Sequence, residues 1–351
     1  MKTRTTIYDI AKETGVSAAT VTRALNNKAG VSERTRKYIL KVAASLGYVA
    51  NFNARALAGN PIRVCLLMHN HIPVFHSEII AGVRYQVESL KDMNVVCDYF
   101  CLEGAEADIR HQFIQCFDKI IETHPDGIVL LVPSQIDVIY SKVSQLNKEG
   151  IRVVLINTDL PSNNRVCCCR QDAESAGRIA AELLNKMVPS GKVAVFTGSM
   201  SVVDHANSTE GFRAECKKRN MDVVAVYENH DDYDFATFNT TRLLNEHPEV
   251  EGIYINTANS VSVCKKMIES GKKGHIRIIT SDVFPEVSHF LNDGVIDATI
   301  YQDPFKQGRS AVKALYQAIT EKVDALPDVF IQPQIVIDSN LSAYIHSDLN
   351  N

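Results

Sequence analysis

From residue 62 onward, short apolar runs alternate with longer segments of helical period. Candidate strands rich in β-branched residues cover 62–68, 95–101, 127–133, 152–158, 192–198, 222–228, 252–257, 276–282 and 297–302. Most of them are separated by enough residues for one crossover helix, as at 76–93, 106–123, 135–149, 172–188, 204–219 and 304–322. This alternation predicts an α/β fold with doubly wound parallel sheets. About nine units of strand and helix are more than a single sheet comfortably holds, so we predict two α/β lobes.

Residues 1–60 have no strand pattern and predict an all-α segment of three short helices. A hydroxyl residue precedes each helix and is expected to cap it: Thr6, Ser17 and Ser32. Thr6 stands three residues before Asp9, a spacing close to that of a capping box. The apolar positions expected to form a small core are Ile10, Ala11, Val16, Val21, Leu25, Val31, Ile39, Val42 and Leu46.

Charge is divided unevenly along the 351 residues, a length that allows two or three domains. Residues 1–60 hold ten Lys/Arg and three Asp/Glu, a net charge of +7. Because the whole chain carries −4, the remainder carries −11. A small basic segment attached to a large acidic body is typical of a polyanion-binding module joined to a second domain.

The first two predicted helices meet the physical requirements of a helix-turn-helix, because a glycine-containing turn joins them and their segment is basic. A guanidinium group suits guanine and methyl groups suit thymine, so four residues of the second helix are predicted to face the bases: Ala18, Ala19, Thr22 and Arg23. Six others are better placed to hold phosphates: Thr5, Thr6, Ser17, Thr20, Ser32 and Arg36. The alternative is a three-helix protein-interaction module with a basic face.

The rest of the sequence contains few signals of a membrane segment, a metal site or catalysis. The sequence shows no signal peptide and no run of 18 apolar residues, so we expect a cytoplasmic location without a membrane partner. Nine cysteines without a CxxC pair are expected to be buried apolar residues. We expect no metal at His69, His71 and His76, because loop histidines more often bond to backbone or ligand. Since GxGxxG, GxxxxGK[ST] and GxSxG are absent, we expect no cofactor, no catalytic residue and no enzyme.

Three segments resemble the DNA-binding head and hinge of the LacI-type (lactose-repressor-like) transcription regulators: TIYDIAKETGVSAATVTRALNN, VSERTRKYILKVAASLGY and NFNARALAG. The order of strands and helices in the remainder is similar to the type I periplasmic-binding-protein body of those regulators. The resemblance implies a helix-turn-helix domain over 1–50, a hinge helix over 51–60 and an effector-binding and dimerisation domain over 61–346. The implied lobes are 61–165 with 303–330, and 170–298 with 331–346.

The resemblance also implies that Asn51, Ala54 and Leu57 contact operator DNA through the hinge helix, which forms when two subunits meet. Leu57 would be a wedge in the minor groove, where an apolar side chain between base steps bends the duplex. The family usually has proline before this asparagine, whereas Ala50 stands here, so the start of the hinge is less rigid. The alternative for Leu57 is a helix residue packed on its own body.

A small effector between the lobes is a further implication of the resemblance, with Phe75, Asp159, Ser208, Asn256, Asn259, Asp282 and Gln302 at matching positions. An aromatic ring, carboxylates and amides suit a sugar or sugar derivative. Asn256 and Asn259 are alternative matches for one amide. Ser208 stands where the family commonly has arginine, which argues against a hexose or an anionic ligand held by that arginine. His205 or Arg213 are candidates to replace it in part. Each of these residues has an alternative role as a helix cap or turn residue.

These observations predict a homodimeric regulator, expected to act as a repressor, that binds near-palindromic operator DNA and responds to a sugar-like effector. One alternative is a cytosolic sugar-binding or sugar-modifying α/β protein with an incidental basic head. Another is a solute-binding protein for transport, which would have a suitable body but no need of the basic head.

Overall fold

The computed structural model describes residues 5–25, 30–46, 61–70, 72–104, 106–132, 138–160, 164–257 and 259–345. The chain divides into two compact units, a head of residues 1–61 with 92–94, and a body of residues 62–91 with 95–351. No helix within the described ranges is long and apolar enough to cross a membrane.

The described part of the head consists of three helices, as predicted. They are α1 (Ile7–Thr14), α2 (Ala18–Leu25) and α3 (Glu33–Ser45). Their shared core contains the buried side chains Ile10, Val21, Ala24, Ile39 and Ala43. Leu46 was expected in this core, but that expectation is wrong, because Leu46 lies one residue beyond α3 and is 37% exposed.

Each helix of the head begins at the predicted capping residue. Thr6 and Asp9 form a capping box, in which each side chain accepts a hydrogen bond from the other residue's backbone N–H. Ser17 and Ser32 accept hydrogen bonds from the N–H groups three residues later, at 3.1 and 3.2 Å. Gly15 ends α1 at φ +69°, a left-handed conformation that glycine adopts without steric cost. The sharp turn between α1 and α2 depends on this residue.

The body contains two sheets, each of six strands in the described part of the chain. The first sheet comprises β1 (Ile62–His69), β2 (Val95–Leu102), β3 (Gly127–Leu130), β4 (Arg152–Ile156), β5 (Cys167–Gln171) and β11 (Val329–Ile331). The second comprises β6 (Lys192–Thr197), β7 (Asp222–Glu228), β8 (Gly252–Ile255), β9 (Arg277–Ser281), β10 (Ala298–Tyr301) and β12 (Gln334–Val336). Their strand orders are β11-β5-β4-β3-β1-β2 and β12-β10-β9-β8-β6-β7. Two parallel α/β lobes are therefore confirmed.

Helices connect most successive strands and cover the sheets. They are α4 (Pro73–Ser89), α5 (Glu106–Thr123), α6 (Val138–Lys148), α7 (Ala173–Met187), α8 (Val203–Lys218), α9 (Tyr233–Glu246), α10 (Ser260–Glu269), α11 (Pro285–Asn292) and α12 (Pro304–Glu321), with short 3-10 turns at Lys91–Met93 and Asp338–Ala343. The core of the first lobe lies between α5, α6 and one face of the first sheet. The core of the second lobe lies between α7, α8 and the second sheet.

The chain passes between the two lobes at three places: after β5, after β10 and between β11 and β12. The third passage uses only two residues, so β12 enters the second sheet directly from the first. Without a crossover helix, β12 runs antiparallel to β10, whereas the other strand pairs of the described chain are parallel. The two lobes are thus joined by closely spaced segments.

In each lobe, one pair of helices packs with the two backbones in direct contact, because glycine lies where the helices cross. A Cβ atom on Gly82 of α4 would lie 2.0 Å from the carbonyl oxygen of Phe305 on α12. A Cβ atom on Gly177 of α7 would lie 1.9 Å from the carbonyl oxygen of Ser208 on α8. The facing helices contribute reciprocal glycines, Gly308 and Gly211. Any larger residue at these four positions would force the helices apart.

All nine cysteines are free thiols. Six are buried as expected, but Cys97, Cys101 and Cys116 are only partly buried. The expectation of burial is wrong for these three. Cys97 and Cys101 lie on β2, which is an edge strand of the first sheet and has one neighbouring strand in the described structure.

We expect Gly177→Ala to lower the free energy of unfolding by about 2 to 3 kcal/mol, because the new methyl group meets a backbone carbonyl rather than a side chain that can move. Urea unfolding of the full chain, followed by circular dichroism, measures this change. Lys217→Ala on the exposed face of α8 introduces the same residue and is expected to stay within about 0.5 kcal/mol of wild type. Equal midpoints for the two variants would contradict the close-packing argument.

Candidate functional site

Helix α2 presents a solvent-exposed face that contains Ala19 and Arg23. These residues are four positions apart and therefore lie on the same side of the helix. Val21 and Ala24 are buried on the opposite side, in the core of the head. The guanidinium group and the alanine methyl predicted to read bases thus share an accessible surface.

The hydroxyl residues near this face are engaged in local hydrogen bonds. Ser17 and Thr20 share a hydroxyl–hydroxyl contact of 2.9 Å at the start of α2. The hydroxyl of Thr22 donates to the carbonyl oxygen of half-buried Ala18 at 2.8 Å. These bonds fix the side chains of Ser17, Thr20 and Thr22 close to the amino end of α2, where a phosphate group is favoured by the helix dipole.

Three further head residues have structural roles. The hydroxyl of Thr6 donates to the carboxylate of Asp9 at 2.7 Å, and Ser32 shares a hydroxyl contact of 2.7 Å with Thr35. Arg36 was expected to hold a phosphate, but its side chain is only 12% exposed and its guanidinium contacts the carbonyl oxygen of Ala24. The predicted hinge contacts lie outside the described residues: Asn51, Ala54 and Leu57.

In the body, three predicted effector residues form a row at the carboxyl ends of neighbouring strands. Asn256 follows β8, Asp282 follows β9 and Gln302 follows β10, and these strands are adjacent in the second sheet. The amide of Gln302 donates to the carboxylate of Asp282 at 2.7 Å. The carboxyl edge of a doubly wound sheet is where ligands usually bind. We call Asn256, Asp282 and Gln302 the polar row.

Two acceptor groups of the polar row are buried without a cationic partner in the described structure. Asp282 is 8% exposed, and burial raises the pKa of its carboxyl group to about 7, with a further contribution from the negative charge of Glu78. The amide nitrogen of Asn256 donates to the backbone carbonyl of His205 and to the hydroxyl of Thr209. The amide oxygen of Asn256 has no hydrogen-bond donor among the described residues. The polar row therefore presents hydrogen-bond acceptors to a ligand.

Strained backbone occurs in segments that follow strands of both sheets. Five non-glycine residues with positive φ immediately follow strands or precede the next helix there: Asn157, His230, Asp231, Asp282 and Asp303. A positive φ is uncommon for residues with a side chain, and such strain concentrates at ligand-binding sites. Asp282, at φ +65°, thus combines backbone strain with a buried carboxylate.

Charged contacts missed by the sequence analysis join the lobes. Arg170 at the end of β5 binds Asp204 of α8 at 2.5 Å and lies over the ring of Phe330. Burial raises the pKa of Asp204 to about 6, and Arg170 opposes that rise. Tyr301 of the second lobe donates a hydrogen bond to Glu78 of the first. The partners lie far apart in sequence, so local pattern gave no signal for them.

A cavity of about 270 Å³ adjoins the contact between Arg170 and Asp204. It lies where β5, the start of α7 and α8 meet, and Asn207 and Phe330 complete its wall. The first passage between the lobes therefore borders space that a small molecule of a few heavy atoms can enter.

Asp159 has both carboxylate oxygens engaged by one arginine. Arg165 binds Asp159 at 2.6 and 2.7 Å and also binds Asp328 at 2.7 Å, which ties the loop after β4 to the segment before β11. This arrangement gives Asp159 a bonded role within the first lobe. It leaves Asp159 outside the polar row.

The side chains of the other predicted effector residues also contact groups of the protein itself. Phe75 is 5% exposed, with its ring against that of His76. The hydroxyl of Ser208 bonds to that of Tyr254 at 2.9 Å. Asn259 donates to the carbonyl oxygen of Asp232 at 2.9 Å, so of the two alternative amides only Asn256 belongs to the polar row.

The two candidates to replace the missing arginine do not supply a free positive charge to the row. Burial lowers the pKa of His205, and its Nδ1 accepts a hydrogen bond from the backbone N–H of Ser199. Arg213 pairs with Glu210 at 3.0 Å on the exposed side of α8. Among the described residues, no group of three or more His, Cys, Asp or Glu is arranged to hold a metal ion.

Comparison with known proteins covers both units. A family model described as periplasmic binding protein domain matches residues 66–322, and a model described as bacterial regulatory proteins, lacI family, matches residues 6–51. Catabolite control protein A of Priestia megaterium is 25% identical over 258 residues, which span 72% of this chain and 74% of that protein. The HTH-type transcriptional repressor PurR of Vibrio campbellii is 23% identical over 349 residues, 95% of this chain and 97% of that protein.

A solved structure shares the fold of the body. GanP, a glucose-galactose binding protein from Geobacillus stearothermophilus, has a TM-score of 0.71 at 22% identity and covers 81% of this chain and 99% of its own. The two-lobed body and the helix-turn-helix head are thus both matched by known families. The chain belongs to the periplasmic-binding-protein-domain family and carries the head of the lacI family of bacterial regulatory proteins, which makes it a DNA-binding transcriptional regulator of the LacI type.

Proposed function

We propose that this regulator is a homodimeric, cytoplasmic repressor whose binding to near-palindromic operator DNA is controlled by a small polar effector held between the lobes. The effector is a sugar or sugar derivative. The single observation that carries this proposal is the polar row, which places buried acceptors at the carboxyl edge of the second sheet. Relatives named as repressors and a neighbour named as a glucose-galactose binding protein support it.

The polar row suits a ligand with several hydroxyl groups. A carboxylate and an amide oxygen accept hydrogen bonds from vicinal hydroxyls, and the amide of Gln302 orients Asp282 for that purpose. A buried carboxylate without a cation costs folding free energy, because water no longer solvates it. Ligand hydroxyls in that place would recover part of this cost. The effector therefore stabilises the arrangement of lobes in which it is enclosed.

Coupling between effector and DNA is proposed to run through the contacts that join the lobes. Arg170 with Asp204 and Tyr301 with Glu78 connect side chains of different lobes, so these are the contacts through which we propose that lobe closure is sensed. The effector shifts the equilibrium by its difference in affinity for the two states. Linkage requires that operator DNA change effector affinity by the same factor.

DNA recognition is proposed to use the exposed face of α2 and a hinge. Ala19 and Arg23 would meet base edges in the major groove, while Asn51, Ala54 and Leu57 would contact the minor groove. We assign the helix-turn-helix domain to 1–50, the hinge to 51–60 and the effector-binding and dimerisation domain to 61–346. A twofold dimer presents two heads, so the operator should have matching half-sites.

Selection of bound sequences from a random duplex library tests the function directly. We expect the purified full-length protein, at a stated salt concentration, to enrich a near-palindromic consensus. Repetition with a pooled sugar mixture identifies an effector by loss or gain of enrichment. Failure to enrich any sequence in either condition would contradict the proposed function.

Arg23→Ala is expected to lose discrimination between the consensus and single-base variants by about 1 to 3 kcal/mol, the worth of one bidentate base contact. Fluorescence anisotropy with matched duplexes measures the difference. Lys12→Ala on α1 removes the same charge from the same unit and should weaken binding to all duplexes alike. If Arg23→Ala also weakens all duplexes equally, Arg23 is a phosphate contact.

Leu57→Ala is expected to abolish most of the specific affinity for the consensus while effector binding is kept, because the wedge that bends the duplex is lost. Anisotropy with operator and calorimetry with the effector found by selection provide the two measurements. Leu57→Met keeps an apolar wedge and should retain most of the affinity. Wild-type operator affinity in Leu57→Ala would show that the hinge assignment is wrong.

A further inference from the structure

The segments that follow the carboxyl ends of the strands are strongly acidic by sequence. The ten segments that come after β1 to β10 contain eight carboxylate residues and one arginine, Arg165, and none of them contains lysine. The eight are Glu103, Asp137, Asp159, Asp172, Asp231, Asp232, Asp282 and Asp303. Of these, Asp137 lies outside the described residues. The edge at which a ligand binds therefore has an excess of negative charge.

Local structure accounts for four of these carboxylates. Asp172, Asp232 and Asp303 accept hydrogen bonds from backbone N–H groups at the starts of α7, α9 and α12, where carboxylates are favoured. Asp159 is neutralised by Arg165. Helix capping and ion pairing thus explain half of the set, and Asp282 is not among them.

The arginines near the lobe junction already form ion pairs with carboxylates of the protein. Arg165 binds two carboxylates, those of Asp159 and Asp328. Arg170 binds Asp204 and lies 4.0 Å from Asp159. Two guanidinium groups therefore face three carboxylates, and this junction contributes no surplus positive charge to the polar row.

Within the described residues, the donors to the Asp282 carboxylate are both uncharged groups of Gln302. Its carboxylate accepts from the side-chain amide and the backbone N–H of Gln302, at 2.7 and 3.4 Å. Across the lobe junction it is influenced by the carboxylate of Glu78, which adds negative charge. At the end of the neighbouring strand β8, the buried amide oxygen of Asn256 has no donor in the described part of the chain. The site is rich in acceptors and short of positive charge.

We propose that the effector is a hydroxylated amine, that is, a polyol or sugar with a protonated amino group, whose ammonium binds Asp282 and whose hydroxyl donates to Asn256. This inference rests on the proposed function and names the chemical class of its effector. An ammonium group supplies both hydrogen-bond donors and the charge that the buried carboxylate lacks. A neutral sugar supplies only the donors, and a sugar acid is repelled.

Matched sugar series test the proposal. Calorimetry with the full-length protein would use glucosamine, glucose and glucuronate, and the corresponding galactose and mannose series. We expect at least one amine to bind at least tenfold more tightly than its neutral partner, and no uronate to bind. Tighter binding of a neutral sugar or a uronate would overturn the proposal, and so would the absence of binding by every amine.

Asp282→Asn isolates the charge at almost constant shape. We expect it to remove the preference for the amine over the neutral partner. Asp222→Asn is the matched control, because Asp222 is exposed at the amino end of β7 and carries the same charge. A preference that survives in Asp282→Asn would overturn the role of Asp282.

The pH dependence of amine binding to the wild-type protein is a further test, and it requires no variant. Titratable groups near Asp282 are Glu78 on α4 and the phenols of Tyr254 and Tyr301, which stay protonated below neutral pH. Because the carboxyl group has a pKa of about 7 and must ionise to bind an ammonium, affinity should rise about tenfold from pH 5 to pH 6. A flat profile would overturn the proposal.

Operator selection separates this inference from the function on which it rests. If a consensus is enriched and a neutral sugar or a uronate releases it, the regulator assignment stands while the amine assignment fails. If no consensus is enriched under any condition, the proposed function itself fails.

Discussion

The approach of two helices to backbone contact in each lobe is the constraint on which the rest of the body depends. At Gly177 and Gly211 the helices α7 and α8 meet without intervening side chains, which sets the position of α8 over the second sheet. Only with α8 in that position can the amide of Asn256 reach the carbonyl of His205 and the hydroxyl of Thr209. The hydrogen bonds that hold the Asn256 amide therefore depend on how α8 packs against α7.

Local sequence pattern predicted most of the fold for a physical reason. Helix caps such as Thr6, the turn at Gly15 and the alternation of apolar runs with helical segments all act over a few residues. The misses have the opposite character. The exposure of Leu46 and of the cysteines on the edge strand β2 depends on which other segments cover them. The strands β11 and β12 have three residues each, which is too short to show a period.

The positions of the polar row were predicted, but its charge balance was not foreseen. Asp159 and Asp282 look alike in sequence, as acids that follow strands. The structure distinguishes them, because Arg165 neutralises Asp159, whereas the donors to Asp282 in the described part of the chain are amide groups of Gln302. Pairs such as Arg165 with Asp328, 163 residues apart, are set by the sheet topology and cannot be read from neighbouring residues.

The three passages between the lobes have a consequence for synthesis on the ribosome. The second lobe draws five of its six strands from one continuous segment, from β6 to β10. The first lobe lacks α12, which packs against α4, and its edge strand β11 until residue 331 has been made. A polypeptide that emerges from its amino end therefore begins the first lobe earlier but completes it later. The nascent first lobe must wait, with an apolar face uncovered, for the end of the chain.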